Sequence, residues 1–197
     1  MKSNDEYFNS LTDKDIEKNI EIINSFIELF PEPRKSKVKK MLDGDLGEKF
    51  FLSPASSRRS FHNAFPGGLA KHSINVVKNA LAISKQLCPN RWPVHKIAFC
   101  ALFHDLYKAV SYKATNEEWK FKRGDFYDVL NDERMQSGFG SLFLLQKYGI
   151  ELDYEETVAI QLTDGPQQFH QFKEPAFSFI ICWADQWAMV EEKESDL

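Results

Sequence analysis

The chain has 197 residues, 43% of them hydrophobic and 27% charged, which is the composition of a globular protein with a core and excludes a disordered chain. Lys and Arg total 25 and Asp and Glu 29, a net charge of −4, which argues against a protein that coats nucleic acid by charge alone. The cysteines Cys88, Cys100 and Cys182 form neither a CxxC pair nor a disulfide framework, and the polar start MKSNDEYFNS lacks the apolar segment of a leader. No apolar stretch has bilayer length, so a cytoplasmic protein without a membrane partner is expected.

In chain order, Ile16, Ile20, Ile23, Ile27 and Phe30 share one face of a first helix. Thr12 and Asp15 have the spacing of a capping box at its start, and Pro31 and Pro33 end it. The basic run Arg34 to Lys40, with Val38, Met41 and Leu42 as its apolar residues, predicts a short amphipathic helix whose charges face water. Ser53 to Gly68, punctuated by Pro54, Pro66, Gly67 and Gly68, reads as a loop. Helices are expected from Leu69 to Gln86 and from Pro93 to Lys108, Pro93 suiting a first turn. In the stretch 111–130, Trp119 and Phe121 alternate with Lys120 and Lys122 before Arg123 and Gly124, which predicts a small β-hairpin or ordered excursion. Helical patterns resume over 138–148, closed by Gly149, over 153–163, closed by Gly165 and Pro166, and over 175–192. The sum is an all-α protein of about six to seven helices with one short β element. Residues 1–49 read as a helical extension packed on a domain of residues 50–197.

Three of these helices place a metal-ligating residue type on an apolar stripe. His72 shares a face with Val76, Ala80 and Ile83. His104 and Asp105 follow Ala101, Leu102 and Phe103 at the end of an apolar helix, and Asp185 lies between Cys182 and Trp187. Burying an imidazole beside a carboxylate is costly unless something compensates them, and a divalent cation does so. Nitrogen and oxygen donors of this kind suit Mn, Fe, Co, Ni or Zn. Taken singly, each residue has a plainer reading: a hydrogen-bonded core histidine, a chance dipeptide, an acid paired with a base.

Taken together, the order His, His-Asp, Asp resembles the HD-domain superfamily of metal-dependent phosphohydrolases. Ser53-Pro54-Ala55-Ser56, followed by Phe61-His62-Asn63-Ala64-Phe65-Pro66-Gly67-Gly68-Leu69-Ala70-Lys71-His72-Ser73, is similar to the lead-in of a subset of that superfamily. The subset includes 3′–5′ exoribonuclease-like HD domains and small stand-alone HD proteins of bacteria and phages. Ala101 to Lys108 resembles its LLHDxxK motif, and the likeness spans residues 50–190. The resemblance implies an HD helical bundle, with His72, His104, Asp105 and Asp185 as metal ligands and with Lys108 and His62 beside them. Many members of the subset carry two further histidines for a second metal, where this chain has Ser137 and Thr163. His170, in a polar and aromatic loop, reads as exposed. One divalent transition metal (Mn, Fe, Co, Ni or Zn) is therefore expected.

The resemblance further implies hydrolysis of a nucleotide phosphomonoester or polyphosphate, a nucleoside mono- or triphosphate. Asp105 would orient a water as well as hold the metal, and Lys108 would neutralise charge on the phosphoryl oxygens. Arg58, Arg59 and His62 would hold the phosphate or a group near the base. Lys108, His62 and Asp164 all stay open as the general acid. Trp119, Phe121, Phe126 and Tyr127 either wall in a base or simply pack. Two alternatives stand beside this reading: a phosphodiesterase or 3′–5′ exonuclease acting on short RNA or a cyclic nucleotide, and a non-catalytic nucleotide-binding protein. No stable nucleic-acid complex is expected, and the oligomeric state is open, a homodimer included.

Overall fold

Thr12 caps the first helix as its spacing predicts. Its hydroxyl accepts from the Asp15 N–H at 3.3 Å, and the Asp15 carboxylate accepts from the Thr12 N–H at 2.9 Å. The computed structural model describes residues 11–130, 135–163 and 175–194. In order the elements are α1 (Asp13–Ile27), α2 (Arg34–Leu42), α3 (Asp45–Leu52), α4 (Gly68–Leu87), α5 (Val94–Phe103), α6 (Lys108–Ser111), β1 (Tyr112–Ala114), α7 (Glu118–Arg123), β2 (Tyr127–Val129), α8 (Ser137–Lys147), α9 (Tyr154–Gln161) and α10 (Ala176–Glu194). The architecture is mostly helical with one small two-stranded antiparallel sheet.

Helix α4 lies at the centre, packed between α5 and α10, with α3 and α1 also against it. Ile23, Ile27 and Phe30 from the first helical stretch, Val38 and Met41 from α2, and Leu46 and Phe50 from α3 join the same buried cluster as α4, α5, α9 and α10. Among the described residues no helix is long and apolar enough to cross a membrane.

Several elements differ from their sequence readings for definite reasons. Helix α3 crosses the line between residues 49 and 50. It was not legible because it is short and Gly44 and Gly47 bracket its start like a turn. The helix expected from Pro93 to Lys108 ends at Phe103 and resumes at Lys108. The alternation around Trp119 is no strand. Strand β1 pairs with β2, Tyr112 opposite Val129 and Ala114 opposite Tyr127, and α7 lies between them. There Lys120 pairs with Glu117 and Lys122 with Glu118, each at 2.7 Å, the spacing of a helical turn. Gly124 ends α7 at φ +88°, a left-handed position that suits glycine.

The basic run of α2 is not simply a solvated face. Arg34 makes two bonds to the Glu156 carboxylate, at 2.6 and 2.8 Å, and lies 4.3 Å over the Phe99 ring. Lys35 and Lys39 pair with Glu28, and Lys37 donates to the Gly149 carbonyl.

Candidate metal centre

Helix α4 supplies His72, the end of α5 supplies His104 and Asp105, and α10 supplies Asp185. One ligand atom from each lies within 4.8 Å of all the others. The four residues are 0, 1, 3 and 8% exposed. His72 Nε2 is 2.9 Å from Asp185 Oδ1 and 3.8 Å from Asp105 Oδ2. His104 Nε2 is 3.2 Å from Asp105 Oδ2 and 3.5 Å from Asp185 Oδ1. Neighbouring residues on a regular helix diverge by about 100°. His104 is the C-cap of α5, and the turn that follows, with Leu106 N–H bonded to the Phe103 carbonyl, lets His104 and Asp105 face one point.

Each imidazole is held from behind. His104 Nδ1 donates to the Ala101 carbonyl at 2.8 Å. His72 Nδ1 lies 2.9 Å from Glu192 Oε2, and Asn75 Nδ2 donates to Glu192 Oε1 at 2.8 Å. These contacts leave both Nε2 atoms facing the carboxylates, the arrangement by which metal-binding histidines are oriented. His62, His72 and Glu192 form a second close grouping, but it shares His72, whose two nitrogens point in opposite directions.

Asp105 is gripped at both oxygens. Ser137 donates to Oδ1 at 2.7 Å, and Lys108 Nζ lies 2.6 Å from Oδ2. Ser137, at the position where the resemblance implies a histidine, therefore orients Asp105. Thr163 is turned away, its hydroxyl donating to the Ala159 and Ile160 carbonyls of its own helix. Helix α8 is seated for this contact by Gly140, where a Cβ would run into the Tyr107 ring, and by Ser141, whose hydroxyl accepts from the Tyr107 N–H at 3.0 Å.

Electrostatics favour charge at every position. Burial alone would lower the His104 pKa, but the Asp105 and Asp185 carboxylates outweigh it and raise it to about 10. His72 is likewise raised, the Asp185 and Glu192 carboxylates overcoming burial. Burial would raise Asp105 and Asp185; Lys108 and His104 hold Asp105 well below the usual range, and His104 and His72 hold Asp185 below it. Lys108 is raised, Asp105 overcoming burial. The carboxylates thus draw positive charge to this buried point, from Lys108 and from the imidazoles.

A divalent cation fits this donor set. His104 Nε2 is buried and, although Asp105 Oδ2 lies 3.2 Å away, makes no well-aligned hydrogen bond among the described residues, which costs free energy unless something binds it. A doubly charged ion would balance the carboxylates and give that nitrogen a partner. The donors are two imidazoles and two carboxylates, suited to first-row transition ions.

The other expected residues fall in two places. His62 is close, its ring 4.6 Å from that of His72. Its Nε2 is buried and unpartnered among the described residues, and burial, helped by the nearby His72 and Lys108 charges, lowers its pKa to about 3. Arg58 is engaged elsewhere, with Nε 3.2 Å from Asp125 Oδ1 and the guanidinium 5.8 Å over Phe61. Arg59 is exposed and donates its backbone N–H to the Gly124 carbonyl. Together with Phe126 and Tyr127, which both donate to the Ser57 carbonyl, these contacts fasten the 112–130 segment onto the loop before α4. Phe121 packs on Phe126 and Tyr112 on Tyr127, while Trp119 is exposed beneath Lys120 and Arg123. Asp164 and His170 lie outside the described residues.

Sequence reasoning missed Glu192 and Asn75. Glu192 sits in an acidic stretch, Glu191-Glu192-Lys193-Glu194, that reads as a solvated helix end. The available signal was its spacing from Asp185, about two helical turns on one face. No family model, curated protein or solved structure matches this chain.

Proposed function

We propose that the protein is an HD-type metal-dependent phosphohydrolase that hydrolyses a nucleotide phosphomonoester or polyphosphate, a nucleoside mono- or triphosphate, with one divalent transition cation. The observation that carries this reading is the convergence of His72, His104, Asp105 and Asp185, from three separate helical segments, on one buried point beside Lys108. The order of those residues along the chain and the lead-in loop that carries His62 support it further. Ser137 and Thr163, both engaged as hydrogen-bond donors, favour one cation over two.

When bound, the cation would supply a Lewis acid for a phosphoryl oxygen and lower the pKa of a water. His72, His104, Asp105 and Asp185 would hold it. Ser137 and Lys108 fix the plane of the Asp105 carboxylate, and that carboxylate orients the water. Lys108 stays protonated at neutral pH, and its side chain is 18% exposed. It moves from Asp105 Oδ2 toward charge that builds on the phosphoryl oxygens. Burial, with the His72 and Lys108 charges, lowers the His62 pKa to about 3, which favours a hydrogen-bonding role for it over proton donation to the leaving oxygen.

The charge distribution supports a nucleotide over a nucleic-acid substrate. A nucleic-acid track needs a row of free cations. Arg34, Lys35, Lys37 and Lys39 are bound to this chain's own oxygens, and Arg58 is bound to Asp125. The test is turnover of a panel of nucleoside mono- and triphosphates with Mn²⁺ or Co²⁺, run beside single-stranded RNA and DNA oligomers. Release of phosphate or pyrophosphate from nucleotides, abolished in Asp105→Asn, is expected. Shortening of the oligomers would replace this reading with a nuclease, and silence on both classes would replace it with a binding protein.

A further inference from the structure

We infer that Glu192 is a positioning residue of this centre: it holds His72 at Nδ1, orients its Nε2 toward the cation position, and so sets the affinity for the cation. The inference rests on the cation reading above. His72 is fully buried and held on three sides. Glu192 Oε2 lies 2.9 Å from Nδ1, Asp185 Oδ1 lies 2.9 Å from Nε2, and the His62 ring covers one face at 4.6 Å. Glu192 is itself 2% exposed, and its second oxygen accepts from Asn75 Nδ2 at 2.8 Å. Helix α10 thus brackets the imidazole with two carboxylates from one face, Asp185 on the cation side and Glu192 behind.

The two histidines of the centre are backed differently. His104 Nδ1 meets a neutral carbonyl, Ala101 O, while His72 Nδ1 meets a carboxylate. A carboxylate holds the Nδ1 proton more strongly, fixes the tautomer with a bare Nε2, and makes that nitrogen the better donor. Such support changes metal affinity by about 10–100-fold in other centres. Glu192 is not needed simply to tie α10 to α4. The neighbouring pair Asn79–Glu191, at 3.0 Å, and the close packing of the two helices do that.

The experiment is a Co²⁺ titration against a competing chelator, read by the visible absorption of bound Co²⁺, with circular dichroism of each metal-free protein. Wild type, Glu192→Gln and Asn75→Ala are compared. Glu192→Gln, which keeps size and a hydrogen-bonding group but removes the charge, is expected to fold normally, bind Co²⁺ about 10–100-fold more weakly and shift the absorption band. Asn75→Ala is expected to give a smaller loss in the same direction. Affinity of Glu192→Gln within about twofold of wild type, with an unshifted band, would overturn the inference while leaving the cation reading intact. Should Glu192→Gln fail to fold, unchanged affinity in Asn75→Ala would overturn it instead. A wild-type chain that binds neither Co²⁺ nor Mn²⁺ would overturn the cation reading, and this inference with it.

Discussion

Asp105 is contacted from several sides: Ser137 on one oxygen, Lys108 on the other, and both imidazoles nearby. Lys108 and the cation therefore compete for the same oxygen. Lys108→Ala is expected to keep or strengthen Mn²⁺ binding while slowing nucleotide turnover by about 10²-fold; equilibrium dialysis and initial rates separate the two effects. The histidines give a pH test. In the metal-free protein the folded His104 pKa is raised from 6.5 to about 10. Its stabilising contribution is complete below the unfolded value of 6.5 and is lost as pH rises through about 10. Chelator-treated protein should thus lose thermal stability across that window, and saturating Mn²⁺ should remove the loss, because the bound imidazole carries no proton on Nε2. A metal-free melting temperature that rises over the same window would contradict this assignment. His72, His104, Asp105 and Asp185 were legible as a set because each is a polar group on an apolar stripe and their order resembles that of the HD superfamily; singly each had a plainer reading. Ser137 and Glu192 were not, because a serine at a helix start and a glutamate in a charged helix end each look ordinary until the chain is folded.

At the scale of elements, the centre depends on how α8 and α9 are seated. Gly140 of α8 meets the Tyr107 ring, and Gly138 would place a Cβ 2.5 Å from the Ile160 carbonyl. Gly140→Ala is expected to cost about 1–3 kcal/mol by overpacking and to loosen the Ser137–Asp105 contact. Gly44→Ala, where nothing lies within 4 Å of the added Cβ, should change stability by less than about 0.5 kcal/mol. Urea denaturation of the two variants checks the contrast. Arg34 fastens α2 to α9 through Glu156, whose carboxylate also bonds the Asp153 N–H that starts α9. The pair is largely buried, with side chains 18 and 3% exposed. Arg34→Ala should therefore cost about 3–5 kcal/mol by stranding Glu156, with Mn²⁺ affinity unchanged in whatever fraction stays folded. Long periodic helices such as α1, α4 and α10 could be read from the sequence. The short α3 and α7 could not, since two turns hold too few apolar repeats to be told from a loop or a strand. The basic run of α2 looked solvated because its partners, Glu28, Glu156 and Gly149, belong to other elements.

Across the whole molecule, one buried cluster joins α1, α2 and α3 to the helices that carry the centre. The residues that could hold a cation come from α4, the end of α5 and α10, helices packed closely around that core. Bound cation should therefore stabilise the entire fold, by about 2.7 kcal/mol at a free concentration one hundred times its dissociation constant. The all-α architecture and the convergence of His72, His104, Asp105 and Asp185 follow from patterning that a linear sequence displays. Charge pairing over long separations, such as Arg34 with Glu156 and His72 with Glu192, emerges only from the packing. The most direct test of the central claim is elemental analysis of the purified chain after reconstitution with Mn²⁺ or Co²⁺ and removal of free ion. One ion per chain in the wild type, and none in Asp105→Asn that remains folded by circular dichroism, is the expected result. No ion, two ions per chain, or one ion retained in Asp105→Asn would contradict it.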